Sequence, residues 1–139
     1  MLEVGCGTVF PLPATKIISP SGHLIAINSV ADFVARVDEK VHAAGLNNVE
    51  LLCRDTLNTG LDDANINSAL LFDVIPLPSL PLNRLLPEMH RVLKPDGTLA
   101  VWLFPTTAGV PTAILRSGLF RGLGKKHGVY SYIRSQMRQ

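Results

Sequence analysis

The chain has 139 residues, of which 47% are hydrophobic and 17% are charged. This length predicts a single domain over residues 1–139 with a sizeable core, and the composition excludes a disordered or fibrous protein. The apolar runs are shorter than the roughly 18 residues that a transmembrane helix needs, and the N-terminus lacks the pattern of a signal peptide. We therefore expect a soluble, cytoplasmic protein without a membrane span.

Charge is distributed unevenly along the chain. Up to Asp96 there are seven basic and 11 acidic residues, and after it six basic and no acidic residues, so the two parts carry net charges of −4 and +6. The basic C-terminal third could face an anionic substrate or partner, although a solvated sheet edge is the simpler interpretation. The net charge of +2 is too small to indicate nucleic acid, so nucleic-acid binding is not favoured.

Strand and helix patterns alternate along the chain. Apolar runs predict five strands, at residues 2–4, 24–27, 49–53, 68–72 and 99–104. Apolar residues at helical spacing and end signals predict four helices: 10–19, one capped by Ser29 and ending at Gly45, 82–93, and 111–117. Residues 94–97 read as a turn.

The order of these elements predicts the fold class. Strands that alternate with helices indicate α/β architecture, with a doubly wound, mostly parallel sheet and right-handed crossovers. The last two predicted strands, 119–124 and 129–133, are too close in sequence for a parallel crossover, so we expect a C-terminal antiparallel hairpin.

Polar and glycine residues follow the predicted strands, where open α/β sheets bind ligands. They are Gly5-Cys6-Gly7 after the first strand, Asn28-Ser29 after the second, Asp55-Thr56 after the third and Asp73 after the fourth. The glycines let a ligand approach the backbone, and a helix after them would offer unpaired N–H groups to an anion. Asn28 and Asp55 suit the ribose and adenine of a nucleoside, but each also suits a helix cap or a turn, and both roles stay open.

The segment Leu2-Glu3-Val4-Gly5-Cys6-Gly7-Thr8 resembles the first motif of class I S-adenosylmethionine-dependent methyltransferases. In the same order, SGHLIAIN resembles their second strand, AGLNNVELLCRD their helix and third strand, and LLFDV their fourth strand. LPEMHRVLKPDGTLAVW and ILRSGLFRGLGKKHGVYSYIR are similar to later parts of the ubiquinone/menaquinone-biosynthesis-type branch. An NAD-type dinucleotide fold would place three more strands where we expect the hairpin, so it is disfavoured.

The resemblance implies a Rossmann-like methyltransferase fold, S-adenosylmethionine as cofactor, and in-line methyl transfer to an unidentified small-molecule acceptor. It implies the following cofactor-binding residues: Glu3, Gly5, Cys6 and Gly7 at the methionine part, Asn28 and Ser29 at the ribose, Asp55 and Thr56 at the adenine, and Phe72 and Asp73 near the sulfonium. We identify no catalytic base and no metal ligands. Methyl transfer is compatible with this, because positioning and desolvation can lower the barrier for an activated sulfonium.

Several features depart from the family pattern. Val9 replaces the third glycine of GxGxG, where a β-branched residue tolerates positive φ badly. Asn28 replaces an acid, so charge-assisted bidentate binding of the ribose is lost. Met1 falls within the first strand, so the N-terminal lid helices of relatives are missing from this sequence. Either a second copy or a partner subunit covers the site, or the chain is a fragment, or activity is weak or lost. These departures favour an alternative, a non-catalytic or degenerate methyltransferase-fold module that acts through cofactor binding or protein association.

Individual side chains outside this group favour structural roles. We expect Cys53 to be buried on its strand and His90 to be a packing or surface residue rather than a base. Tyr130 and Tyr132 share one face of the last strand, which favours packing at the sheet edge over a pocket. The two cysteines have neither disulfide nor zinc spacing.

Overall fold

A computed structural model describes residues 1–4, 22–72, 81–102 and 109–136, in two compact units, Met1–Thr59 and Gly60–Gln139. The first unit contains β1 (Leu2–Val4), β2 (Leu24–Asn28), α1 (Ala31–Ala43) and β3 (Val49–Cys53). The second contains β4 (Ile66–Phe72), α2 (Leu82–Val92), β5 (Leu93–Trp102), α3 (Gly109–Arg116), β6 (Phe120–Lys126) and β7 (Val129–Arg134). Among these helices, none is long and apolar enough to cross a membrane. The helix predicted at residues 10–19 lies outside the described residues.

The first unit is a parallel sheet with the strand order β3-β2-β1. Residues 24–27 of β2 are buried, as their uninterrupted apolar run predicts. Val37 and Val41 of α1 are buried with Ala26 of β2, so one face of the helix packs on the sheet. The apolar spacing of α1 therefore correctly predicted the inner face of the helix in its second half.

The C-terminal end of α1 confirms the predicted glycine cap. Gly45 has a φ of 68°, in the left-handed region that glycine adopts without strain. The N–H of Gly45 donates to the carbonyl of His42 at 3.0 Å, and the N–H of Leu46 donates to the carbonyl of Val41 at 3.1 Å. These two hydrogen bonds form a Schellman motif and satisfy carbonyls that the helix leaves unpaired.

At the N-terminal end of α1, the predicted cap is wrong. The N-cap residue is Val30 and not Ser29, and its carbonyl accepts the N–H of Phe33 at 3.1 Å. The side chain that closes this turn is Asn28, whose Oδ1 accepts the N–H of Val30 at 2.8 Å. The Asn28 side chain, and not that of Ser29, accepts the hydrogen bond at this turn, and the helix begins one residue later than the capping pattern suggests. Val30 and Phe33 are 45% and 40% exposed, so the predicted apolar face is not buried at this end.

The second unit has the strand order β4-β5-β7-β6. β4 and β5 are parallel, whereas β7 pairs antiparallel with both β5 and β6, which confirms the predicted C-terminal hairpin. His127 and Gly128 connect β6 to β7 with φ values of 52° and 80°. Two successive positive φ values are what a two-residue type I′ turn requires, and this turn matches the twist of the paired strands.

The predicted turn at residues 94–97 lies inside the bounds of β5. Leu93 pairs with Ile66 of β4, and the next pair joins Thr98 to Ser68, so the four residues between them loop out of the ladder. A Cβ atom at Gly97 would lie 2.8 Å from the carbonyl oxygen of Lys94 and 3.0 Å from the Cβ of Leu93. The looped-out backbone folds back on itself so closely that a side chain does not fit at this position.

The amphipathic pattern of α2 is confirmed, because Leu85, Leu86 and Met89 are buried. His90 is also buried and has the predicted packing role. Its Nε2 lies 2.8 Å from the carbonyl oxygen of Ser135, and its ring meets the edge of Phe120 at a centroid distance of 5.9 Å. The imidazole therefore joins α2 to the open end of the hairpin, at the start of β6 and just after β7.

A charged cluster at the C-terminal end of α2 holds the loop that precedes β4. Arg91 donates from Nε and Nη2 to the two carboxylate oxygens of Glu88, at 2.9 and 2.8 Å. Its Nη1 donates at 2.7 Å to both the carbonyl of Leu61 and the carboxylate of Asp63. Hydrogen bonds to Glu88 and then to Asp63 raise the pKa of Arg91 above its ordinary value. One guanidinium therefore links the helix to loop residues about 30 positions away.

Replacing Tyr132 by Phe is expected to make the protein more resistant to alkaline unfolding. Burial raises the pKa of the Tyr132 phenol above its usual value of about 10, and Tyr130 adds to this shift. Because the pKa is higher in the folded state, this stability contribution is complete below about pH 10 and is lost as the pH rises through the raised pKa. Urea unfolding at about pH 8 and about pH 10.5 should show a smaller loss of unfolding free energy for Tyr132→Phe than for the unmodified protein.

The matched control for this prediction is Tyr130→Phe, which removes the less buried phenol of the same strand face. Between about pH 8 and about pH 10.5, Tyr130→Phe should lose nearly as much free energy of unfolding as the unmodified protein does. An equal loss in Tyr132→Phe and in the unmodified protein would show that this phenol does not couple folding to pH.

Candidate functional site

The carboxyl ends of β2 and β3 lie side by side. The two strands are parallel, and their register pairs Asn28 with Cys53. Beyond the last pair, the N–H of Arg54 donates to the carbonyl of Asn28 at 3.2 Å. The residues that follow both strands therefore leave the sheet at one edge, which is the edge where open α/β sheets bind ligands. Four predicted site residues come to this edge: Asn28, Ser29, Asp55 and Thr56.

Asn28 closes the turn between β2 and α1. Its side-chain Oδ1 accepts the N–H of Val30 at 2.8 Å, which forms a turn between a side chain and the backbone two residues on. Of the two roles that the sequence left open, the turn role is the one present in the structure. This hydrogen bond fixes the orientation of the amide at the strand end, where the ribose role would require it.

Asp55 organises the loop after β3 in the same way. Its Oδ1 accepts the N–H of Leu57 at 2.9 Å, and its carbonyl accepts the N–H of Asn58 at 3.0 Å. The residue is exposed. A carboxylate has about four lone-pair sites on its two oxygens, so the hydrogen bond to Leu57 is compatible with accepting a further bond from an amine.

The loop that follows β3, residues 54–59, is also held by Arg54, which the sequence pattern did not indicate as a site residue. Arg54 donates from Nη1 to the carbonyl of Thr59 at 3.0 Å. Thr56 and Thr59 are 5% and 0% exposed, so two side chains of this loop are buried. In the sequence, Arg54 is only a basic residue directly after a predicted strand. That position does not by itself predict a hydrogen bond across the loop.

Ser29 and Cys53 occupy the same edge. Ser29 is exposed, and its carbonyl oxygen lies 3.8 Å from the sulfur of Cys53. Cys53 is exposed as well, so the prediction that it is buried is wrong. The reason is the strand order: β3 is the outermost strand in the described part of the first unit, and Cys53 is its last residue.

For the other predicted site residues, the structure describes either the backbone alone or nothing. Glu3 lies in β1, where its backbone pairs with Ala26 of β2. Phe72 ends β4 of the second unit, where its backbone pairs with Trp102. The side chains of both, together with the whole of Gly5, Cys6, Gly7, Val9 and Asp73, lie outside the described residues.

Residues 2–101 match a protein family described as a methyltransferase domain. The chain belongs to this family. The resemblance to class I S-adenosylmethionine-dependent methyltransferases of the quinone-biosynthesis type is thereby confirmed. Among curated proteins, this methyltransferase domain is 31% identical over 102 residues to a demethylmenaquinone methyltransferase from Listeria welshimeri. That match covers 72% of this chain and 42% of the relative, so the chain spans less than half the length of the curated relatives it matches.

Solved structures share the fold of this methyltransferase domain. A SAM-dependent methyltransferase from Aquifex aeolicus is 27% identical, with a TM-score of 0.77, and the match covers 96% of this chain and 79% of the other. Geranyl diphosphate C-methyltransferase from Streptomyces coelicolor has a TM-score of 0.78 at 10% identity, over 96% of this chain and 68% of its own, which shows the fold alone. The predicted α/β, Rossmann-like methyltransferase fold is confirmed.

Proposed function

We propose that this methyltransferase domain transfers a methyl group from S-adenosylmethionine to a small-molecule acceptor. Membership of the methyltransferase domain family supports the reaction class, and the description of the Aquifex relative as SAM dependent supports the cofactor. The curated relatives are named for demethylmenaquinone, which supports a small molecule as the acceptor. When bound, S-adenosylmethionine supplies an activated methyl group for in-line displacement, and S-adenosylhomocysteine is the product.

The observation that carries this proposal is the paired edge formed by β2 and β3. Asn28 and Asp55 follow adjacent parallel strands, and each presents a side-chain oxygen acceptor there. Asn28 would hold the ribose hydroxyls, and Asp55 with Thr56 would hold the adenine. Their turn hydrogen bonds fix both side chains before a ligand arrives, which reduces the ordering entropy that binding has to overcome.

The remaining roles in the proposed site rest on the resemblance. The backbone of Gly5-Cys6-Gly7, oriented by Glu3, would pass under the methionine part. Phe72 and Asp73 would lie near the sulfonium, where an apolar ring excludes water from the reacting methyl group. Positioning and water exclusion are what these residues would contribute, and no general base would be required of them.

Replacing Asp55 by Asn is expected to weaken S-adenosylmethionine binding about ten-fold without unfolding the loop. The new Oδ1 still accepts the N–H of Leu57, but the second carboxylate oxygen becomes an amide nitrogen, which cannot accept from the adenine amine. Isothermal titration with S-adenosylmethionine and S-adenosylhomocysteine measures the change. Asp62→Asn removes an exposed carboxylate from the second unit, and this control should bind like the unmodified protein.

Two outcomes would contradict different parts of this proposal. If the unmodified protein binds neither ligand at about 1 mM, which corresponds to a binding free energy weaker than about −4 kcal/mol, the cofactor assignment is wrong. If the unmodified protein binds but Asp55→Asn binds equally well, the cofactor assignment stands and the adenine role of Asp55 is wrong.

We also propose that the chain acts as one domain, in the cytoplasm, and that a second copy or a partner subunit covers the site. Exposed apolar side chains at the start of α1 support association: Val30 is 45% exposed and Phe33 is 40% exposed. Neighbouring exposed apolar residues of this kind are typical of interaction surfaces.

A further inference from the structure

The C-terminal part of the second unit presents a ridge of basic and apolar side chains along β6. Residues 109–136 contain no Asp or Glu, although they contain five Arg or Lys residues. The whole of this stretch lies beyond residues 2–101 of the family match, and the proposed methyl transfer assigns no role to its side chains. Six exposed side chains from α3 and β6 form what we call the β6 ridge: Leu115, Arg116, Arg121, Leu123, Lys125 and Lys126.

The two leucines of the β6 ridge are unusually exposed for large aliphatic side chains. Leu115 is 50% and Leu123 is 58% exposed. Leu115 extends from α3 over β6, where a Cβ atom at Gly122 would lie 3.6 Å from its Cδ2. Leu123 is the extra residue of a bulge, since Gly122 pairs with Tyr132 and Gly124 with Ser131. Both leucines are therefore presented to solvent at the same strand.

The cations of the β6 ridge lie on both sides of these leucines. Lys125 pairs with Tyr130, and its Nζ lies 4.9 Å from the ring centroid, on one face of the hairpin. Arg121 and Lys126 pair with Ile133 and Val129, which alternate to the opposite face. Because β6 is the outermost strand in the described part of this unit, positive charge flanks the exposed edge from two directions.

An apolar groove adjoins the β6 ridge. Its volume is about 510 Å³, and it lies between α2 and α3, with Leu86, Ala113 and Leu119 on its walls and Arg116 at its rim. A groove of this composition offers an apolar surface directly beside a cation. This combination is complementary to molecules that have an anionic head and an apolar body.

We propose that the β6 ridge docks this protein on an anionic lipid surface. Leu115 and Leu123 enter the headgroup region, and the four cations face lipid phosphates and carboxylates, as basic surfaces with apolar insertion points do. The bulge and the lysines of β6 oppose pairing with the edge of a second copy. The protruding leucines do not stack on bases, which disfavours a nucleic acid as the occupant.

Vesicle co-sedimentation tests this proposal, with no methyl donor present. We expect vesicles containing about 30% phosphatidylserine to bind the protein about a hundred-fold or more tighter than pure phosphatidylcholine vesicles, because each of the four basic residues near an anionic surface contributes about five-fold. Lys125→Glu/Lys126→Glu should weaken binding at least thirty-fold, since two attractive charges become repulsive. Leu123→Ser should weaken it about five-fold by removing an apolar side chain from the headgroup region.

The matched control is Arg36→Glu/Lys40→Glu on α1, which changes the net charge by the same amount at exposed positions of the first unit. Its affinity should stay within about two-fold of the unmodified protein. Equal binding to both kinds of vesicle, or an equal loss in the control and the lysine variant, would overturn the proposal. Tighter binding of an oligonucleotide than of the anionic vesicles at the same ionic strength would assign the β6 ridge to nucleic acid and would overturn it too.

The outcome of this test is independent of the proposed reaction. Vesicle binding without any methyl donor reports on the β6 ridge alone, and calorimetry with S-adenosylmethionine reports on the edge formed by β2 and β3. Failure of one measurement therefore leaves the other proposal standing.

Discussion

Replacing Arg91 by Ala is expected to lower the free energy of unfolding of the second unit by about 3 kcal/mol. Arg91 is the hydrogen-bond partner of both carboxylate oxygens of Glu88, whose side chain is only 10% exposed. Without the guanidinium, this nearly buried carboxylate loses the positive charge and the two hydrogen bonds that Arg91 supplies, and Leu61 and Asp63 of the loop lose their hydrogen bonds to Arg91. Urea unfolding followed by the fluorescence of Trp102, the sole tryptophan of the chain, measures the change within the same unit.

Two controls separate the buried charge from a general loss of packing. The double variant Glu88→Leu/Arg91→Met should recover most of the stability, since neither charge of this pair then remains without the other. Arg36→Ala, an exposed arginine on α1, should change the unfolding free energy by less than about 0.5 kcal/mol. A loss in Arg91→Ala no larger than in Arg36→Ala would show that the Arg91 cluster does not stabilise the fold.

Replacing Gly97 by Ala is expected to destabilise the second unit by about 2 kcal/mol. The added Cβ would lie 2.8 Å from the carbonyl oxygen of Lys94 and 3.0 Å from both the Cβ and the Cδ2 of Leu93. Two of these three atoms belong to the backbone or to the start of a buried side chain, so they can move only if the looped-out turn opens. The midpoint of urea unfolding should therefore shift to lower urea at an unchanged slope.

Gly109→Ala is the matched control for this substitution. Gly109 begins α3 in the same unit, and a Cβ at this position would meet nothing within 4 Å. Alanine in a helix loses less backbone entropy on folding than glycine, so this control should be neutral or stabilise the protein by about 0.5 kcal/mol. Equal effects of the two substitutions would mean that the turn tolerates a side chain at Gly97.

Local sequence patterns predicted most of the described elements, because those elements follow from local apolar runs and turn residues. The boundary between α2 and β5 shows where such patterns fail. Leu93 continues the helical spacing of Leu85, Leu86 and Met89, and it is buried as that spacing requires. Its backbone is nevertheless extended, with φ −73° and ψ 140°, and it pairs with Ile66 of β4. Periodicity detects the burial of a residue but cannot detect its pairing with a distant strand.

The candidate site was predictable to the same extent. Asn28 and Asp55 could be found because strand ends are visible in the sequence, and parallel strands bring such ends to one edge. The contact from Arg54 to Thr59 depends on a side-chain conformation that no spacing rule specifies. The exposure of Cys53 depends on the strand order of its unit, which is set by residues far away in the sequence.

The turn made by Asn28 allows the charge at the end of β2 to change while the backbone conformation there stays the same. Aspartate and asparagine share the Oδ1 atom that accepts the N–H of Val30, so either residue can close this turn. Exchanging one for the other therefore alters the electrostatic potential at the proposed ribose position while the path of the chain into α1 stays the same. Ligand preference at this position can drift during evolution without loss of the scaffold that supports it.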